Sequence, residues 1–469
     1  MGLLKLVKIK YSIFILLLFL FSCEFGQNGS RLLKSDGTRD LEQILADGKL
    51  IAVTEFNSTN YFIYKGEPMG FHFDLLKAFA SHLGVKLEII AENSLESAFK
   101  MVESGEVDVF ANNLTIMTDR AERVQFSVPH SQTRQVLVQR KVDSNSGSFA
   151  VRNGVELGGK IIYVQQGSAA AIRLKNISEE IGVPIVVIEM NNYEADELIE
   201  LVASGEIDFT VCDEDIAKVN SFHFANIDFE MAVSLEQNLA WALNKQSPEL
   251  AAKLNKWLEG YLKTAEYRII RNKYFENPFW AKRILGELTK IREGEISRFD
   301  EGFKLASSKI SWDWRLFAAL VYNESRFKHE ATSNRGASGL MQFMPSTANY
   351  FGVSHNTDAQ SQIQAGGRYL NWLEKRFEDS TITQDQRIKF VLASYNAGIG
   401  HVIDARNLAR KYGKDPNVWD NNVDYFILNK TLYSQDAIVR HGKLKGVETY
   451  TYVTKVFDTY NHYKNIVPE

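Results

Sequence analysis

Residues 311–347 read SWDWRLFAALVYNESRFKHEATSNRGASGLMQFMPST. Ser311 is suited to N-cap a helix, its hydroxyl accepting from a backbone N–H of the first turn. Behind it Phe317, Leu320 and Val321 fall at helical spacing, which predicts an amphipathic helix with that stripe against a core. One turn further along the stripe stands Glu324. A carboxyl group on the apolar face of a helix is poorly hydrated when charged, so its pKa rises and it holds a proton near neutral pH. That is the requirement for a general acid. The segment that follows reads as the wall of a cleft. Asn334-Arg335-Gly336 is turn chemistry, and the small residues Gly336, Ala337, Ser338 and Gly339 let backbone approach a partner closely. Gln342 offers an amide to a ligand hydroxyl or amide, while Met341 and Met344 offer soft apolar contact.

Further on, Gln362–Phe377 carries Ile363, Gly366, Leu370 and Leu373 at helical intervals. Ile388–Tyr395 is another apolar helix, ended by Gly398. Ser394-Tyr395-Asn396-Ala397-Gly398 then places a phenol and an amide at a helix end. Taken in order, Glu324-Ser325, the Gly339–Pro345 run, Ser394–Gly398 and Glu448-Thr449-Tyr450-Thr451-Tyr452-Val453 resemble the lysozyme-like, soluble-type lytic transglycosylases, which cleave bacterial peptidoglycan. The resemblance implies a mainly α lysozyme-like domain over residues 301–469. It makes Glu324 the catalytic acid and places Ser333, Gln342, Met344, Tyr395, Asn396 and Glu448 along the saccharide cleft. His329 departs from the family pattern, which often has proline there. The mechanism it implies suits a lone carboxyl group. Glu324 protonates the glycosidic oxygen while the muramic N-acetyl oxygen stabilises the anomeric centre. It then takes the proton from that sugar's own C6 hydroxyl as a 1,6-anhydro ring closes. The nucleophile is intramolecular, so no positioned water is needed and the two-carboxylate scheme of glycoside hydrolysis does not apply.

At 469 residues, 45% hydrophobic and 24% charged, the chain is globular material too long for one domain. A net charge of −4 gives no support for a nucleic-acid partner. Two cysteines, Cys23 and Cys212, exclude a disulfide framework. Near the start, Lys5, Lys8 and Lys10 precede a run of about eleven largely apolar residues, too short for a stable membrane span and fitting a signal-peptide core. Leu20-Phe21-Ser22-Cys23 resembles a bacterial lipobox, which implies a signal peptide over 1–22 and lipidation of Cys23. Glu24 follows where Asp favours inner-membrane retention, so the expected place is the periplasmic face of the outer membrane. Residues 23–40 read as a polar tether.

From Leu41 the pattern changes. Leu50–Val53 and Tyr61–Tyr64 are short strands, a helix runs from Leu75 to Leu83 and stops at Gly84, and Val85–Ile90 is a further strand. An internal repeat sharpens the reading. Phe99–Val109, with Ser104-Gly105-Glu106-Val107-Asp108 inside it, recurs as Ile199–Phe209, with Ser204-Gly205-Glu206-Ile207-Asp208. Each copy reads helix, glycine stop, buried strand, so two equivalent α/β lobes are expected with a ligand cleft at the strand ends. Asn113–Arg120 followed by Val124–Pro129 resembles the family-3 periplasmic solute-binding proteins, which hold polar amino acids and related amines. The resemblance implies a two-lobed binding domain over 41–275, with its second lobe at about 138–230, and a helical connection over 276–300. Arg120 would meet a ligand carboxylate bidentately, helped by Thr115. Gln165 and Ser168 would add donors, Asp213 would meet an ammonium, and Phe56 and Tyr61 would wall the pocket. Asn113 and Gln165 depart from the usual residues, which leaves the ligand open between an amino acid and a muropeptide. Cys212 lies in an apolar strand and reads as a small buried hydrophobe. His72 and His130 lack metal-ligand spacing, and neither metal nor cofactor is expected.

The chain is therefore expected to be multidomain, a periplasmic-binding-protein-like α/β unit followed by a lysozyme-like one, acting on glycan strands from a membrane. The competing readings are a goose-type lysozyme-like hydrolase using Glu324 with water, a non-catalytic sensing lipoprotein, and a binding protein that feeds a transporter.

Overall fold

The structure, a computed structural model, describes residues 39–142, 149–191, 193–292, 295–333, 335–354 and 356–467; the apolar leader, Cys23 and Asn334 fall outside these ranges. Helix α1 (Leu41–Asp47), capped by Asp40, stops at Gly48 and feeds β1 (Lys49–Thr54). Strands β2 (Phe62–Tyr64) and β3 (Glu67–Met69) pair as a hairpin. Then follow α2 (Phe71–Leu83), β4 (Lys86–Ala91), α3 (Leu95–Ser104), β5 (Val109–Thr115), α4 (Thr118–Arg123), β6 (Gln125–Phe126) and β7 (Ser131–Thr133). Helix α2 starts at Phe71, ahead of the expected Leu75, because Phe71, His72 and Phe73 are all buried on it. Strand β8 (Gln135–Arg140) opens a second sheet, continued by β9 (Ile161–Gln165), α5 (Ala169–Ile181), β10 (Val186–Met190), α6 (Ala195–Ser204), β11 (Phe209–Asp213), α7 (Glu214–Ser221) and β12 (Ile227–Asp228). Strand β13 (Gln237–Leu243) then returns to the first.

The first sheet has the order β4-β1-β5-β13-β6 with β7 beside β13, and the second β10-β9-β11-β8-β12. In each, three strands run parallel through βαβ units, and the strands that link the lobes pair antiparallel. The repeat accounts for this symmetry. Helices α3 and α6 both end on a left-handed glycine, Gly105 (φ 76) and Gly205 (φ 90), and a strand follows each.

After α8 (Pro248–Tyr261), α9 (Ala265–Arg271) and α10 (Pro278–Arg292) helices joined by turns and two isolated β-bridges make up the rest of the described residues: α11 (Asp300–Ser307), α12 (Trp314–Ser325), α13 (Pro345–Phe351), α14 (Ala359–Glu374), α15 (Gln384–Ala397), α16 (Ile399–Lys411), α17 (Asp424–Leu428) and α18 (Gly446–Ile466). Helix α10 packs back on the first lobe, with Trp280 edge-on to Tyr64. Two expectations for α12 are corrected. Its cap is Asp313, whose carboxylate accepts from the Arg315 N–H, while Ser311 sits in a left-handed turn at φ 55. Nor is α12 amphipathic: Arg315 through Tyr322 are all buried. A helix buried on every side is a central core helix, and here α11 and α18 enclose it.

One hydrophobic cluster joins first-lobe residues such as Ile44, Tyr61 and Leu76 to Phe317, Leu320 and Tyr463 of the helical region. Helix α18 makes much of that junction. Its His462 Nδ1 is 2.6 Å from the Tyr61 hydroxyl, the Asn465 amide donates to Ile89 O at 2.6 Å, and Lys86 pairs with Asp458. On α12's side, Arg326 reaches Glu67 at 3.2 Å.

Candidate active site and ligand cleft

Glu324 sits in the last turn of α12, where the chain turns away sharply. Arg326 (φ 54) and Phe327 (φ 58) both adopt left-handed backbone, uncommon for side chains of that size. The Glu324 carboxyl group is half-buried, and burial pushes its pKa up to about 7. The one opposing effect is a hydrogen bond: the Tyr452 hydroxyl on α18 donates to Oε1 at 2.5 Å. No neighbouring carboxylate among the described residues contributes to the shift. Tyr452 was not among the expected site residues, although it lies one turn after Glu448 in the quoted Glu-Thr-x-x-Tyr stretch; helical spacing from Glu448 was the signal available.

Tyr395, at the end of α15, donates to Met341 O at 2.5 Å and packs its ring on Tyr369 and Phe343. Burial first, and then the nearby Glu324 charge, push its phenol pKa up. Gln342 (φ 46) spends its amide N–H groups on Ala331 O and Gly339 O, both at 2.9 Å, so that group ties the 331–342 loop together rather than reaching outward. The Ser333 hydroxyl accepts from Ala337 N at 3.0 Å within the same loop. Met344 is 46% exposed at the start of α13. Asn396 Oδ1 accepts from the Thr449 hydroxyl at 3.0 Å, which fastens α15 to α18. Glu448 is exposed, with Lys445 4.0 Å away, and no contact joins it to Glu324. Glu324, Tyr452, Tyr395 and the Met341–Gln342 turn are thus brought together, while Glu448 lies outside that group.

The second candidate site lies between the α/β lobes. Thr115, Arg120, Gln165, Ser168 and Asp213 all line it, joined by Glu55, Asn57, Asn60, Asn112, Gln135 and Asp196. Phe56 and Tyr61, expected as its walls, do not line it; Tyr61 is fully buried and turns its hydroxyl to His462 instead. The lobes touch directly across the cleft. Gln165 Nε2 donates to Glu55 Oε1 at 2.6 Å, Ser58 N and Oγ donate to Asp196 at 2.7 and 3.0 Å, and Arg120 Nη2 donates to Gly167 O at 2.9 Å. Glu55, at the exit of β1, was missed by sequence reasoning. Burial pushes its carboxyl pKa up to about 7 against the hydrogen bonds from Gln165 and Asn112. Asp213 also rises to about 7, from burial first and then from the charges of Asp215 and Glu55, with Arg120 opposing. Cys212 is buried, and burial pushes its thiol up, away from reactivity.

Comparison with known proteins divides the chain at the same place. The profile of bacterial extracellular solute-binding proteins, family 3, matches residues 50–277, and that of the transglycosylase SLT domain matches 301–418. The membrane-bound lytic murein transglycosylase F of Desulfosudis oleivorans is 32% identical over 90% of this chain and 91% of its own. That of Photobacterium profundum is 31% identical over 90% of this chain and 81% of its own. Among solved structures, the P235GK mutant of ArgBP from T. maritima is 23% identical, covering 50% of this chain and 99% of its own, with a TM-score of 0.45.

Proposed function

The chain belongs to the membrane-bound lytic murein transglycosylase F family, and from that premise we propose that Glu324 alone performs the acid and base steps of glycan cleavage. The enzyme is a peptidoglycan lytic transglycosylase carrying a solute-binding-like unit. The bond cut is the MurNAc–GlcNAc β-1,4 linkage, and the product ends in 1,6-anhydromuramic acid. One observation carries this reading: a half-buried carboxyl group with a pKa of about 7, held by a tyrosine hydroxyl and with no second carboxylate among the described residues acting on it. Protonated, it donates to the glycosidic oxygen. As carboxylate, still held by Tyr452, it takes the proton of the sugar's C6 hydroxyl, so the group ends the cycle as it began. Ser333, Met344, Tyr395 and Asn396 are the cleft residues, with Gln342 shaping the loop.

Glu324→Gln keeps size and removes the transferable proton. Turnover on purified sacculi should fall by about a hundredfold to ten-thousandfold or more, and the wild type should release anhydro-ended fragments one water lighter than hydrolysis products. Reducing ends as the main product by mass spectrometry would make the chain a hydrolase.

Two further parts of the reading concern place and ligand. Acylation of Cys23 would tether the chain to the envelope, on the periplasmic face of the outer membrane; among the described residues no helix is long and apolar enough to cross a membrane. Cys23→Ser should release the protein from membranes, and retention after a high-salt wash would refute acylation. The inter-lobe cleft would hold an amino acid or muropeptide through Arg120 and Asp213. Arg120→Ala should weaken that binding by about 2–5 kcal/mol, read by calorimetry.

A further inference from the structure

We propose that helices α9 and α10 form a membrane-docking face whose occupant is an anionic phospholipid surface. Headgroup phosphates lie in the groove between the two helices, and exposed apolar side chains enter the headgroup layer. The proposal goes beyond glycan cleavage and does not depend on acylation of Cys23.

Charge sets this stretch apart from the rest of the chain. Residues 263–283 hold six cations, Lys263, Arg268, Arg271, Lys273, Lys282 and Arg283, against two carboxylates, Glu266 and Glu276, whereas the whole chain is net −4. Local structure occupies two of the six. Arg271 lies 3.5 Å from both Asp215 and Glu276, and Lys273 pairs with Asp74 at 3.3 Å. Glu276 is also neutralised by Lys218 at 2.6 Å. Lys263, Arg268, Lys282 and Arg283 are exposed and make no ion pair among the described residues. Their charge is therefore available to an outside anion.

Apolar side chains stand among these cations. On α9, Ala265, Arg268, Ile269 and Asn272 fall at i, i+3, i+4 and i+7, which is one face of a helix. That face meets Lys273, Asn277 and Trp280 across an open groove. Ile269 is 68% exposed and Phe279, beside Trp280, is 59% exposed. Arg283, one turn beyond Phe279, holds its guanidinium 4.1 Å from the centre of that ring. Apolar and aromatic side chains interleaved with Arg and Lys on an exposed helical face are what an interfacial segment requires: the apolar groups sink and the cations stay at phosphate level. A protein partner suits the face less well, because the core of a protein interface is depleted of charge.

The point where the chain enters the fold agrees. Arg39 and Asp40 are fastened to the start of α8: the Ser247 hydroxyl donates to Arg39 O at 2.7 Å, and Leu250 N donates to Asp40 Oδ1 at 2.8 Å. Helix α8 has 14 residues and so is about 20 Å long, with α9 following its far end. Residues 23–38 can reach at most about 55 Å when extended. An anchor at Cys23 and the α9–α10 face can therefore engage the same bilayer.

Vesicle co-sedimentation tests the proposal on residues 23–469 carrying Cys23→Ser, so that no acyl chain contributes. Partition into phosphatidylcholine vesicles containing about 30% phosphatidylglycerol should exceed that into pure phosphatidylcholine by about tenfold or more at low salt. The gain should vanish in about 0.5 M salt, where the Debye length is short. Combining Arg268→Gln, Lys282→Gln and Arg283→Gln should lose about a hundredfold, on the order of fivefold for each cation. Ile269→Ser with Phe279→Ser keeps every charge and should lose about tenfold. All five side chains are exposed, so both variants should keep the wild-type melting temperature and turnover on soluble glycan fragments, which separates lost docking from lost fold. Equal partition into neutral and anionic vesicles, or a triple variant that sediments like the wild type, overturns the proposal. So does a wild-type chain that stays in the supernatant with both vesicles, a result that leaves the cleavage reaction and the acylation of Cys23 standing.

Discussion

Glu324 ties activity and stability to pH through one proton. Its pKa is about 7 when folded against an ordinary 4.5, so the folded state favours the protonated group. The stability this gives is complete below pH 4.5 and is lost as pH rises through 7. Glu324→Gln, neutral at every pH, should match the wild type at pH 4 and exceed it at pH 8 by at most about 3 kcal/mol, read as melting temperature against pH. Tyr452→Phe acts in the other direction. The lost hydroxyl stabilises the carboxylate, so without it the Glu324 pKa climbs and the alkaline limb of the kcat/KM profile moves to higher pH. An unmoved limb would mean that Tyr452 does not bear on this proton. Glu324 was legible because burial of a carboxyl group on a helix stripe is a local fact. Its partner was not, because helical spacing puts Tyr452 on the face of Glu448 but does not say which of the two reaches a helix well over a hundred residues away. Glu55 was harder still: a glutamate at the exit of a strand shows its chemistry only when the other lobe closes over it.

Helices α12 and α18 form the active centre together, and both lean on the β2–β3 hairpin of the first lobe. Gly66, at the hairpin turn, has φ 82, and a Cβ there would clash with the ring of Tyr322 and the hydroxyl of Tyr463. Gly66→Ala should cost about 1–2 kcal/mol for the left-handed backbone and about 1–3 kcal/mol for overpacking. Tyr322 precedes Glu324 by two residues, so turnover should fall along with the melting temperature. Normal activity in this variant would show that the hairpin only rests against the catalytic helices. The element types themselves were readable, since glycine stops and helical spacing are short-range signals; the exceptions were instructive. The stripe on α12 was read as one face of a surface helix because its remaining positions, such as Ala318 and Ala319, are small and carry little hydrophobic signal, yet they are fully buried. The pair Phe56 and Tyr61 was read as pocket wall because aromatic residues near a cleft suit either side of it. The structure gives Tyr61 to the domain junction, with the Phe56 ring edge-on behind it.

At the scale of the whole molecule, the first lobe and the helical region share one apolar cluster, while the second lobe is built on its own, around Leu137, Ile162, Val164 and Leu174. Hydrogen exchange in rising denaturant should therefore release β1, β4, α12 and α18 together and β9–β10 separately. Release of α12 well before β1 would contradict a shared core. The junction was invisible in the sequence, since no local pattern records which face of α18 meets another domain. The way the lobes connect adds a further consequence. Strands β7 and β13 lie antiparallel in register, Thr133 opposite Gln237 and Ser131 opposite Leu239. In topological terms everything between them is the loop of a hairpin, a lobe-sized insertion whose two ends arrive side by side. A two-residue Asn-Gly turn is the ordinary closure for strands so placed. Joining them that way would excise Gln165, Ser168 and Asp213 at a stroke and leave Tyr61 on His462, giving a shorter glycan-cutting chain with no cleft for a ligand to enter.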